Sequence, residues 1–382
     1  MFAKRYHDRL NLQKEQGLYR DPIRIDQRNG KYLCIDSRRI LNFGSNDYLG
    51  LGSSQALAQK VARHFETLGA SASSSRLVSG NYRIICQAED AFADYFGYQA
   101  ALFFPSGFQA NAGILAALFE KGDRVFFDKH IHASSVNGLM LSRAHIYGYN
   151  HNNLAHLKKR LDACADGQAA VITESLFSMD GDVLPCDDLL TVKSQSQFLC
   201  VVDEAHAFGV LGEKGKGLAR PVADIAIGTF GKALGLFGAF VLLPAMIKEY
   251  LLNFCAPMIY TTTLPAAHAA SAMDVLEMIE KADEQRRHLH DISRYMALKL
   301  VHQGFEVNGD AHVLSVLMGD EKKARRISRK LLEKNIYVLP ARYPTVPLGK
   351  AILRISLTAL HTKRDIDNFI SALKDVEQFF YY

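Results

Sequence analysis

No Cys-x-x-Cys pair occurs in the chain. Its six cysteines (Cys34, Cys86, Cys164, Cys186, Cys200 and Cys255) are scattered over 382 residues. That spacing excludes a disulfide-stapled secreted module and fits reduced cytosolic thiols. Long hydrophobic runs are also missing. The two extended uncharged segments, 97–119 and 250–273, are interrupted by proline and polar residues, so neither reads as a membrane span. The first residues, MFAKRYHDRLNLQKEQ, lack the apolar stretch of a signal peptide, and a cytoplasmic protein is expected. Proline and glycine, 10 and 27 residues, are too few for a fibrous or low-complexity chain. One-signed charge is scarce as well, with 45 Lys and Arg against 40 Asp and Glu. Residues 1–39 hold ten of the basic and five of the acidic groups, which accounts for the whole excess. No strongly basic domain marks a nucleic-acid binder. The cluster Lys322 to Lys330, flanked by Glu321 and Glu333, reads as a solvated helix face.

What is present is alternation. Short apolar runs at Ala100–Phe104, Arg124–Phe127, Ala144–Tyr147, Ala169–Thr173, Phe198–Val202, Asp224–Gly228 and Gly238–Leu243 lack polar alternation, as strands buried on both faces do. Helical patterns lie between most of them, including Asn153–Ala165 and Asp187–Ser194. This predicts an α/β domain with a mainly parallel sheet of seven strands. A helix is predicted near residues 3–16, and a hairpin pairing Ile23–Asp26 with Lys31–Asp36 around Asn29-Gly30. After residue 264 longer amphipathic patterns and fewer strands predict a smaller α+β domain. The expected division is 1–50 as an N-terminal arm and hairpin, 51–264 as the large domain and 265–382 as the small one.

In an open α/β sheet, ligands bind at the carboxyl ends of the strands. Pro105-Ser106-Gly107-Phe108 follows one strand and opens a helix, a place where free N–H groups can hold phosphate. Asp203 ends another strand, with His206 three residues on. No HExxH or other His-rich motif supports a metal there. Thr229-Phe-Gly-Lys232 follows a third, and a lysine in an apolar setting is a nucleophile toward carbonyls. A Walker A loop is excluded by Ala226 and Ala233, and no GxGxxG segment follows an early strand. A phosphate site, a strand-end carboxylate and an apolar lysine together are what pyridoxal 5′-phosphate needs.

Eight segments then carry a resemblance over nearly the whole length: 42–50 (NFGSNDYLG), 104–111 (FPSGFQAN), 132–134 (HAS), 173–182 (TESLFSMDGD), 202–206 (VDEAH), 229–232 (TFGK), 344–347 (PTVP) and 353–361 (LRISLTALH). In these the chain resembles the α-oxoamine synthase family of fold-type-I pyridoxal-phosphate enzymes. The resemblance implies a transferase with a large cofactor-binding domain and a small C-terminal one. It implies that Lys232 is the Schiff-base lysine and the base for the amino acid's Cα proton. Asp203 would face the pyridine nitrogen, His206 and Ser178 the ring's phenolic oxygen, and His132 the ring face. Gly107, Phe108 and Thr229 would hold the phosphate, with Thr262 reaching it from the second subunit of a homodimer. Arg354, with Asn46 near it, would bind the amino acid's carboxylate, and Arg20 and Thr345 the acyl substrate. The activity implied is decarboxylative condensation of a small amino acid, alanine, with a pimeloyl thioester of CoA or of acyl carrier protein. Glycine with acetyl-CoA, serine with a long acyl-CoA, and an inactive scaffold subunit remain the alternatives. Glu204, Leu236 and Phe237 depart from the family pattern and are expected to crowd the cofactor.

Overall fold

The computed structural model describes residues 2–163 and 168–378. Cys164 and the expected end of the helix at residue 165 lie outside them. The chain divides into two compact units. The larger contains residues 51–178 and 183–286, the smaller 1–50, 179–182 and 287–382.

The large unit is built on a seven-stranded sheet. Across it run Ala100–Phe104, Ala239–Leu243, Ile225–Thr229, Leu199–Asp203, Ala169–Glu174, Arg124–Asp128 and His145–Tyr149. Only Ala239–Leu243 is antiparallel to its neighbours, so the sheet is mainly parallel as predicted. The apolar runs are explained by burial on both faces. Phe92, Phe96, Phe103, Phe230 and Phe240 interlock on one face, with ring centroids 4.9–6.0 Å apart. Leu102, Ile114, Val125, Ile172, Val201 and Val241 pack among the other face's core residues. Aromatic pairs at these separations add to the area term of burial. Six of the seven strands point the same way, and their carboxyl ends form one edge.

The small unit holds two four-stranded sheets. One orders Gln27–Asn29, Tyr32–Ile35, Arg38–Asn42 and Ile336–Tyr337, the other Val307–Asn308, Val313–Gly319, Ala351–Ser356 and Leu339–Ala341. The hairpin forms around Asn29-Gly30, with Gln27 opposite Cys34. Its first strand is Gln27–Asn29 rather than the predicted Ile23–Asp26. A tight turn at Asn29-Gly30 pairs the residues nearest to it, and 21–25 are left without ladder bonds.

The expected boundary at 264 comes one helix too early, since helix Ala266–Glu280 belongs to the large unit. Its first half, AAHAASA, is buried nearly all round, and it packs on helices Gln55–Leu68 and Arg83–Phe96. An uncharged run of small side chains permits that close approach from every side. Sequence texture therefore changes before the packing does.

Candidate active site

The carboxyl edge of the large sheet collects the chemistry. Strand Leu199–Asp203 ends in Asp203, whose Oδ2 accepts from Asn111 Nδ2 at 2.9 Å and whose Oδ1 accepts from Ala205 N at 2.9 Å. His206 is buried two residues beyond Glu204, and its Nε2 lies 2.6 Å from Lys232 Nζ. Lys232 stands in the turn after strand Ile225–Thr229. In that turn Thr229 Oγ1 accepts from Gly231 N at 3.1 Å and donates to Gly238 O at 2.9 Å. The hydroxyl proton is thus committed to the turn, and donation to a phosphate needs it to swing away.

Helix Gly107–Leu118 starts at the same edge. Ser106 caps it, accepting from Gln109 N at 3.2 Å. The first-turn N–H groups of Gly107 and Phe108 have no partner within the helix, and they carry its positive dipole end. A Cβ placed on Gly107 or Gly231 meets no atom nearer than 3.6 Å, so space is open there. One buried polar atom beside Asp203, Asn111 Oδ1, lacks a hydrogen-bond partner. An anion cradle, a carboxylate, a lysine and an orphaned polar atom together suit a phosphorylated pyridine aldehyde.

His132 caps helix Ala133–Leu141, with Nδ1 2.7 Å from Ser134 Oγ. Its pKa is lowered, first by desolvation and further by the Lys232 charge, while Asp203 opposes the shift. Ser134 Oγ also accepts from Asn111 Nδ2 at 3.1 Å, which links His132 to Asp203 through two side chains. Ser178 sits half-buried in the turn after Leu176. Thr262 is exposed and bridges to Ser75.

Glu174 had no assigned role in the sequence reading, although it ends a strand just as Asp203 does. The two residues are register partners on adjacent strands. Glu174 is buried, accepts from His132 N at 2.6 Å, and has its pKa pushed well up by burial and then by the Asp203 charge. Asn111 and Ser134 were missed too, because only the fold brings them to Asp203.

In the small unit Arg354, in strand Ala351–Ser356, is buried. Both of its terminal nitrogens lie 3.2 Å from Asn46 Oδ1, and Nη1 donates to Ser356 Oγ at 2.7 Å. Tyr48 donates to the same Asn46 oxygen at 3.1 Å. Burial pushes the Tyr48 hydroxyl up to about 12, so it stays a donor. Arg20 Nη2 lies 3.5 Å from Thr345 Oγ1, which joins two residues 325 positions apart.

The structure defines the surroundings of two of the departures, Phe237 and Glu204, while Leu236 is half-buried. Phe237 is 66% exposed. Glu204 accepts from Ser175 Oγ at 2.6 Å and from Ala219 N at 2.6 Å, which pins the loop at 217–219. Only glycine fits at 217, where φ is +85° and a Cβ would lie 2.7 Å from Glu204 Oε1.

Comparison with known proteins agrees with this geometry. The model of the family "Aminotransferase class I and II" matches residues 38–373. The chain belongs to this family. Curated relatives include the 8-amino-7-oxononanoate synthase of Geobacter sulfurreducens, 37% identical over 95% of both chains. That of Azoarcus sp. is 38% identical over 90% of both. Among solved structures, Sphingomonas wittichii serine palmitoyltransferase matches with a TM-score of 0.91 and 28% identity, covering 99% of this chain and 97% of that one. The 8-amino-7-oxononanoate synthase of Francisella tularensis matches with a TM-score of 0.78 and 32% identity, covering 90% and 99%. The fold type, the α-oxoamine synthase resemblance and the pyridoxal-phosphate cofactor expected from the motifs are borne out. Among the described residues, no helix is long and apolar enough to cross a membrane.

Proposed function

We propose that the protein is an 8-amino-7-oxononanoate synthase of biotin biosynthesis, condensing L-alanine with a pimeloyl thioester and releasing carbon dioxide. The observation that carries this reading is the Lys232–His206 pair, 2.6 Å apart, at the sheet edge that also presents Asp203. Bound pyridoxal phosphate supplies the electron sink for the Cα carbanion. The protein's side chains do the rest. Lys232 Nζ holds the cofactor and moves the Cα proton, with His206 setting its orientation. The Asp203 carboxylate, fixed by Asn111 and Ala205 N, stabilises a proton on the ring nitrogen. His132 provides a flat face for the ring. Gly107 and Phe108 N–H groups, with Thr229 after rotation, hold the phosphate, and Ser178 joins His206 at the phenolic oxygen.

Arg354 is our assignment for the amino acid's carboxylate. Its guanidinium is already held rigid by Asn46 and Ser356, and a fork of two donors fixes a carboxylate's orientation. Arg20 and Thr345 take the acyl end. We place the enzyme in the cytoplasm as a homodimer. The described cysteines are all free, as in a reducing compartment. For the dimer, the large unit exposes Leu77, Val78, Met140, Leu141, Phe237 and Tyr260, each by at least 66%. Helix Ala256–Tyr260 packs on both the 76–80 turn and helix Gly107–Leu118, which gathers part of this apolar surface near Thr262. Thr262 would then reach the phosphate of the second subunit.

The test is release of the free thiol carrier, assayed with alanine, glycine and serine against acetyl, pimeloyl and palmitoyl thioesters. Turnover with alanine and the pimeloyl thioester at least tenfold above every other pair is expected. Preference for serine with palmitoyl, or glycine with acetyl, overturns the assignment.

A further inference from the structure

At the outer edge of the large sheet, with strand Ala169–Glu174 between them and the strand of Asp203, two histidines meet. Strands Arg124–Asp128 and His145–Tyr149 are parallel neighbours, with Asp128 opposite Tyr149. His130 and His151 each stand two residues past the end of their strand. The ladder carries on into the first loop residue, where Lys129 N donates to Tyr149 O at 3.2 Å. Equivalent positions on adjacent strands lie about 5 Å apart. The two imidazoles accordingly stack, with ring centroids 4.0 Å apart and planes 11° from parallel. No short motif announces the pair, because only the sheet brings positions 130 and 151 together.

One buried carboxylate sets the geometry of both. Asp128 is fully buried, and it accepts from His130 N at 2.8 Å through Oδ1 and from Asn152 N at 2.8 Å through Oδ2. Its Oδ1 also lies 2.9 Å from His151 Nδ1. A carboxylate only accepts, so Nδ1 of His151 carries a proton, and in the neutral ring Nε2 carries the lone pair. In this way an outer carboxylate fixes the tautomer and the ring of a metal-binding histidine. Phe177 meets the His151 ring edge-on at 4.4 Å and limits its rotation. A ligand nitrogen of each histidine lies within 4.8 Å of one on the other. Tetrahedral zinc holds two imidazole nitrogens about 3.3 Å apart, so a metal draws them together by at most about 1.5 Å. His130 is exposed, and its side chain can supply that movement.

We propose that His130 and His151 bind one divalent ion of the zinc, nickel and copper class, with water completing its coordination. Imidazole nitrogen suits these ions, whereas magnesium and calcium prefer oxygen. The site makes no use of the condensation reading. Its ion ties the loop at 129–131 to the loop at 150–152. The first of these loops runs directly into His132, the cap of helix Ala133–Leu141.

Calorimetric titration of the purified holoenzyme with zinc chloride, after a chelator has cleared it of metal, tests this without any turnover. Zinc should bind at one site per chain that magnesium does not occupy. His130→Asn and His151→Asn should each weaken zinc at least about 30-fold, because losing a ligand costs no less than losing its outer-shell partner. Zinc should raise the unfolding temperature of the parent and leave that of His130→Asn unchanged. Without zinc, His130→Asn should unfold at the parent's temperature, since His130 is exposed, and this controls for misfolding. Zinc held by thiols instead would bind the parent and both histidine variants alike. No saturable zinc binding below about 1 mM overturns the proposal, as does zinc affinity within about threefold of the parent's in either histidine variant.

Discussion

The two units hold their functional groups in different ways. In the large unit each group is the next residue, or nearly so, after a parallel strand: Ser106 after Phe104, Asp203 at the end of its own strand, Lys232 after Thr229. The sheet itself sets their spacing, because adjacent strands are about 5 Å apart. In the small unit the groups are collected from remote stretches. Arg20 meets Thr345, and Asn46 meets Arg354, across more than 300 residues. The first arrangement is fixed by secondary structure and the second by tertiary packing. Substitutions should therefore act locally on chemistry in the large unit and on substrate orientation in the small one.

Stability against acid probes both units at once, because each holds a buried histidine whose pKa burial lowers. His268 in the large unit donates to Phe237 O and meets Phe230 edge-on. His361 in the small unit stacks on Phe43 at 4.5 Å. Burial lowers each pKa from 6.5 to about 4. The folded protein therefore binds fewer protons than the unfolded chain below pH 6.5, and stability falls as pH drops from 6.5 toward 4. The expected loss is about 3 kcal/mol per histidine by pH 4. Urea unfolding at pH 7, 6, 5 and 4.5 checks this. A flat profile would contradict the burial argument, and loss in one unit only would separate the two.

The next largest effect belongs to the large unit. Asp203→Asn keeps the shape but removes the charge that we assign to the ring nitrogen, and turnover should drop about 100-fold. Turnover within threefold of the parent would show that another group tunes the ring. In the small unit Arg354→Lys loses the fork while keeping the charge. Alanine should then bind about tenfold more weakly by spectral titration, with the KM for the acyl thioester changed much less. Equal weakening of both substrates would break the division between chemistry and orientation. The smallest effect is expected at Glu174→Gln. Burial and the Asp203 charge already favour the neutral acid, so removing the negative charge should change kcat less than threefold. A large loss would mean that Glu174 acts ionised.

Legibility followed the same division. All seven strands of the large sheet lie within one or two residues of the apolar runs, and in all but the partly exposed edge strand His145–Tyr149 burial on both faces leaves a continuous hydrophobic signature. Asp203, His206 and Lys232 were readable because strand ends are where such sheets bind ligands. Glu174 could have been read by the same rule. Asn111 and Ser134 could not, since their link to Asp203 exists only once the helices pack. The hairpin strand at 27–29 and the unit boundary near 286 were displaced for a similar reason: turn geometry and helix burial decide them, not local texture.

The central claim is that the turn after strand Ile225–Thr229 presents the lysine that holds the cofactor. Borohydride reduction of the holoenzyme, followed by proteolysis and mass mapping of the pyridoxyl-bearing peptide, tests it most directly. The account predicts a single label, on Lys232, lost in Lys232→Ala together with turnover. A label on any other lysine, or an active Lys232→Ala protein, would contradict it.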